Sequence, residues 1–134
     1  ESSIGFPWFQ RAALQNHKVG MYFTGWCYYY GEGVKKDLRK AYYWFTKCAQ
    51  KGDSQSKKMV KSIKNQINVD DIIFADPPYA LKELESIPEL IFKNNLLKEG
   101  GLFVLEHGKQ NNFEDHPHFI ERRVYGSVNF SLFR

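Results

Sequence analysis

Two different rhythms of apolar positions divide the chain. In its first half apolar residues recur at three- and four-residue intervals. The run LRKAYYWFTKCAQK, residues 38–51, puts Leu38, Ala41, Phe45 and Cys48 or Ala49 on one face and predicts an amphipathic helix. A helix over residues 17–30 precedes it, with Gly20 and Gly25 small enough to let a second helix approach closely. Between them YGEGVKKD reads as a turn, in which Gly31 and Gly33 supply positive φ and Asp37 caps the next helix. Gly52 ends that helix, and Asp53 caps a third running to about residue 65.

The second half has a strand rhythm. DDIIFA is a continuous apolar run behind acidic residues, the pattern of a buried parallel strand. ALKELESIPELIFKNNLL predicts an amphipathic helix interrupted near Pro88, KEGG a stop and turn, and LFVLEH a second buried strand. HFIERRVYGSVNFSLFR predicts a closing hairpin that turns at Gly126 and Ser127. In its second arm Val128, Phe130 and Leu132 alternate with Asn129, Ser131 and Phe133. A β-α-β order followed by a hairpin suits the second half of an open α/β sheet.

The first half also repeats itself. Trp8, Phe9, Arg11 and Ala13 recur as Trp44, Phe45, Lys47 and Ala49, and Asn16 falls opposite Gly52, a spacing typical of helical solenoids. The stretch TGWCYYYGEGVKKDLRKAYYWFTKCAQKGD resembles the Sel-one-like repeat, a relative of the tetratricopeptide repeat, over about residues 8–60. It departs from that pattern at Thr24, Cys48 and Ser56. The resemblance implies a protein-interaction scaffold and no catalysis.

In the second half, DIIFADPPYALKEL, LLKEGGLFVLEH and RRVYGSVNFSLFR together resemble the C-terminal half of the RsmD-type ribosomal RNA guanine-N2 methyltransferases. The resemblance implies S-adenosylmethionine as cofactor and RNA as substrate. It also makes Asp76, Pro77, Pro78 and Tyr79 the catalytic group. An exocyclic amine is a weak nucleophile, because its lone pair is conjugated with the ring. A site must take the base out of its stack and aim the nitrogen at the methyl carbon. Asp76 and the Pro77 carbonyl can accept hydrogen bonds from such an amine and stabilise the charge developing on it. The prolines stiffen the loop, and Tyr79 offers a ring face to the base. Asp76, Glu106 and His107 are the candidate cofactor contacts, though a structural place at a strand end suits Glu106 and His107 equally well.

A donor site of this kind needs a strand followed by a Gly-x-Gly turn, then an acidic residue at the end of the next strand. Gly31-Glu32-Gly33 joins two helices and is accounted for by the repeat. The expected fold is therefore α+β or α/β: a helical-repeat hairpin and a third helix packed on a partial Rossmann-like sheet of about four strands. The expected domains are residues 1–66 and 67–134, joined as a natural or engineered fusion within residues 56–69. The expectation for function is methyltransferase lineage without turnover; the competing one is a non-enzymatic scaffold or folding chimera. The DDIIFA strand would lie at an open edge, through which two chains could pair.

Composition narrows the class. Hydrophobic residues make up 43% and charged residues 25%, the balance of a folded globular chain. No membrane-length apolar run and no leader-like start are present, pointing to a cytoplasmic protein, and a first residue Glu1 suggests a fragment. Cys27 and Cys48 read as buried free thiols; His17, His116 and His118 as surface residues; no spacing suggests a metal site. Residues 1–66 hold 12 Lys/Arg against 4 Asp/Glu, and residues 67–134 hold 7 against 11. The first half can therefore attract polyanions, if its lysines are more than a solvated face.

Overall fold

The computed structural model describes residues 17–134. Trp8, Phe9, Arg11, Ala13 and Asn16, the earlier copy of the repeat, lie outside them. The chain divides between Val69 and Asp70 into two compact units.

The first unit contains three helices: α1 (His17–Tyr30), α2 (Leu38–Gln50) and α3 (Ser54–Lys64). Gly31 and Gly33 take φ of 71° and 77°, which turns the chain between α1 and α2 without a Cβ penalty. Asp37 starts α2 by accepting a hydrogen bond from Lys40 N at 3.1 Å, and Asp53 starts α3 by accepting one from Ser56 N at 2.7 Å. Gly52, at φ 94°, separates α2 from α3.

Helix α2 buries Ala41, Tyr43, Trp44, Phe45 and Cys48. It meets α1 where Gly25 leaves room: a Cβ there would stand 3.1 Å from the Phe45 ring. The three departures from the repeat pattern are all accommodated in the interior. Thr24 is buried and donates its hydroxyl proton to Gly20 O at 2.8 Å, so its polar atom is satisfied within α1. Cys48 is buried, with Sγ 3.3 Å from Lys18 O, and Ser56 is buried where α3 begins. Both cysteines are free thiols.

The second unit is a four-stranded mixed sheet of β1 (Ile72–Ala75), β2 (Leu102–His107), β3 (Phe119–Tyr125) and β4 (Val128–Phe133), in the order β1-β2-β4-β3. The first two strands are parallel, with Ile72 beside Leu102 and Ala75 beside Leu105. β4 runs antiparallel to both β2 and β3, and Gly126, at φ 65°, opens the two-residue turn between β3 and β4. Leu84, Phe103, Leu105, Phe113 and Phe133 form the core, with Ile73, Ile87, Ile91 and Phe92 packed against it.

Three expectations change. The apolar strand β1 lies at the open edge expected of it among the described residues, but it is not buried throughout as its apolar run implied: Phe74 is 41% exposed. A continuous apolar run thus does not ensure burial on both sides; the missing neighbour leaves one flank open. The predicted long helix is a 3-10 turn (Lys82–Ser86) followed by a short helix, α4 (Ile87–Lys93), with Pro88 in its first turn. There the proline's absent N–H costs nothing, so it begins the helix instead of breaking it. Finally, β4 is buried at every position from Asn129 to Phe133 despite its alternating sequence, because it lies inside the sheet between β2 and β3.

Candidate functional site

The parallel pair fixes the site. β1 ends at Ala75, level with Leu105, so the chain leaves the sheet as Asp76-Pro77-Pro78-Tyr79 beside the last residues of β2. In open α/β sheets this carboxyl edge is where ligands are held. Asp76, Pro78 and Tyr79 are exposed and Pro77 is partly buried. The prolines block a regular helix here, and Leu81 N closes the loop on Pro78 O at 3.0 Å.

Tyr79 folds back over β2. Its hydroxyl donates to Glu106 Oε2 at 3.3 Å, and its carbonyl accepts from Gln110 Nε2 at 3.3 Å. Partial burial pushes the phenol up to about 12, helped by the negative charge of Glu106, its hydrogen bond, and the negative charge of Asp76. The phenol is therefore a proton-bearing donor throughout the neutral range, held to Glu106 of β2 and following Asp76 in its own loop. A cavity of about 500 Å³ opens next to it, lined by Tyr79, Gly108, Lys109, Gln110, Gly126 and Ser127. That volume is within the usual range for small-ligand sites.

Glu106 and His107 part company because successive strand residues face opposite sides. Glu106 reaches the loop. His107 is fully buried: Nδ1 lies 2.7 Å from Gly108 O, Nε2 lies 2.7 Å from Ser131 Oγ, and Phe113 packs edge-on at 5.0 Å. Burial holds its pKa below the usual imidazole value, and the Arg122 charge adds to this while the Gly108 carbonyl opposes it. His107 is thus committed to the interior, with both ring nitrogens occupied.

Of the sequence candidates, Asp76, Pro77, Pro78, Tyr79 and Glu106 come together. Gln110 and Lys109, which line the cavity, carried no motif. Their signal was positional: they follow directly on the carboxyl end of a strand. A second cleft, of about 560 Å³, lies beyond the amino end of β2 between Phe92, Lys98, His118 and Arg134, away from the Asp76 loop. His118 is exposed and stacks on Phe92 at 4.0 Å, and His116 is partly buried. Among the described residues no cluster of His, Cys, Asp and Glu could hold a metal ion.

Gly31-Glu32-Gly33 lies between α1 and α2 and follows no strand, and β1 has no neighbour on its outer side among the described residues. What the described residues bring together is Asp76, Pro77, Pro78, Tyr79 and Glu106 at the carboxyl edge of the β1-β2 pair.

Comparison with known proteins gives two separate likenesses. In the first unit the Sel1 repeat family model matches residues 4–17 and 18–53. The second match is to an enzyme-like sequence. An uncharacterized methylase of Rickettsia prowazekii (strain Madrid E) is 31% identical over 66 residues, 48% of this chain and 28% of the relative. The chain thus spans little more than a quarter of the methylase it resembles. Among the described residues no helix is long and apolar enough to cross a membrane.

Proposed function

We propose that the sheet unit is the base-gripping part of an RsmD-like, S-adenosylmethionine-dependent ribosomal RNA guanine-N2 methyltransferase, and that this chain holds an amine-bearing base without methylating it. The observation that carries this reading is the Asp76–Tyr79 loop at the carboxyl edge of a parallel pair, tied to Glu106 through the Tyr79 hydroxyl. Asp76 and the Pro77 carbonyl accept the two amine protons and orient the nitrogen. Tyr79 flanks the ring, and Glu106 sets the direction of the phenol. S-adenosylmethionine would supply an electrophilic methyl group.

Guanosine and inosine monophosphates differ only by the exocyclic amine, so a paired titration followed by amide shifts of residues 76–79 tests this. Guanosine monophosphate should bind at least about 10-fold more tightly, roughly 1.4 kcal/mol, and Asp76→Ala should abolish the difference. Equal binding of the two nucleotides would sink the base-gripping role. Calorimetric titration with S-adenosylmethionine should give no heat at millimolar donor.

A second reading is favoured by the repeat match: the helices serve as a scaffold for a protein partner. In that case neither nucleotide perturbs residues 76–79, and any partner survives Asp76→Ala.

A further inference from the structure

Helix α3 carries a charge pattern that the repeat does not require. Only Ser56 and Ile63 are buried in it. Lys57, Lys58, Lys61 and Lys64 are all exposed, and the helix, SQSKKMVKSIK, contains no acidic residue. Solvated surface helices usually set acids and bases three or four residues apart. Here Lys57 and Lys61 occupy that spacing as like charges, as do Lys58 with Lys61 and Lys61 with Lys64. The carboxylate at the head of α3, Asp53, accepts the hydrogen bond that caps the helix and forms no ion pair with these lysines. None of the four lysines has an ion pair among the described residues.

The charge identifies the class of partner. At about 100° per residue Lys57, Lys61 and Lys64 fall within roughly 60° of one another around the axis, with Lys58 to one side, so the four charges make one basic stripe about 10 Å long. A phosphate backbone offers such a stripe a row of anions whatever its base sequence. The helix bears no aromatic side chain for stacking on bases. A basic stripe along one helix is the electrostatic footprint of backbone binding.

We propose that α3 is a sequence-independent docking ridge for the phosphate backbone of single-stranded RNA. This follows from charge and spacing in the helical unit alone and holds whether or not the Asp76 loop grips a base.

The test uses the full chain and a fluorescent 20-nucleotide oligouridylate. Uridine has no exocyclic amine, so the loop site stays silent. Between 50 and 200 mM salt, four lysine contacts give a log–log slope near −2.8 and about a 50-fold loss of affinity. The Lys61→Gln variant should flatten the slope by about 0.7. Replacing Lys57, Lys58, Lys61 and Lys64 together by Gln should remove binding, with the helical circular dichroism unchanged. A Lys35→Gln/Lys36→Gln control should keep the full slope. Three results would overturn the proposal: a quadruple variant that retains the slope, a control that flattens it as much, or polyglutamate binding as tightly as oligouridylate. The last would assign the ridge to an acidic protein.

Discussion

Gly101 holds the seam on which the candidate site depends. It precedes β2, and its N–H closes a turn on Lys98 O at 2.8 Å. A Cβ added there would stand 2.5 Å from Asp71 O, 2.9 Å from Lys98 O and 3.0 Å from Leu97 Cδ1. Two of those atoms are backbone, so no side-chain rotation relieves the contact. The start of β1 must move away from β2 by roughly 0.5–0.9 Å, an overpacking that costs about 1–3 kcal/mol. Replacing glycine returns about 0.4–1 kcal/mol through the unfolded chain. Gly101→Ala should therefore lose about 1–2 kcal/mol.

Gly100 supplies the control. It has φ 78° and nothing within 4 Å of an added Cβ, so its substitution suffers from backbone conformation instead of collision. Asn tolerates that conformation, so Gly100→Asn should recover much of the loss seen in Gly100→Ala, while Gly101→Asn should be no better than Gly101→Ala. Native-state hydrogen exchange at the Phe103, Val104 and Leu105 amides reads the opening of this sheet separately from the helices. The loss at Gly101 corresponds to roughly 5- to 30-fold faster exchange. Unchanged protection in Gly101→Ala, or rescue by Gly101→Asn, would refute the steric argument.

Three further outcomes are expected. Ser131→Ala strands the buried His107 Nε2 and should lower sheet stability by about 1–3 kcal/mol in urea unfolding. Because the folded His107 has a depressed pKa, the unfolded chain takes up the proton first. Its contribution is present above about pH 6.5 and lost as pH falls through the folded value, and a ring resonance that titrates normally would contradict this. Asp53→Ala should cost about 0.5–2 kcal/mol and fray α3 in hydrogen exchange. The folded Asp53 pKa is lowered, by the Ser56 hydroxyl first, so its contribution persists above the ordinary carboxylate pKa and fades as pH falls through the folded one. Cys48, pushed up to about 11 by burial, should resist iodoacetamide at pH 8 until the helices unfold; rapid labelling of the native chain would show the thiol is accessible.

Much of the local structure was written in single residues. Asp37 and Asp53 marked helix starts because their carboxylates satisfy free backbone N–H groups, a strictly local task. Gly31, Gly33 and Gly126 marked turns because only glycine enters positive φ cheaply. The Asp-Pro-Pro-Tyr loop was legible for a similar reason: a strand that runs into two prolines must end there.

Other features depended on which segments became neighbours. The apolar run of β1 read as wholly buried, and local pattern could not show that Phe74 would be exposed, because the cover over each strand is decided by long-range packing. Nor could it show that β4 would pass between β2 and β3 and become buried at alternating polar positions, or that Ser131 would meet the His107 ring. Glu106 and His107 looked equivalent in the chain; the pleat sent one toward Tyr79 and the other into the core. Sequence determines caps, turns and breaks because these act over a few residues. Tyr79, the partner of Glu106 and Gln110, and Ser131, the partner of His107 Nε2, come from residues 20 or more positions away, and only the folded sheet brings them within reach.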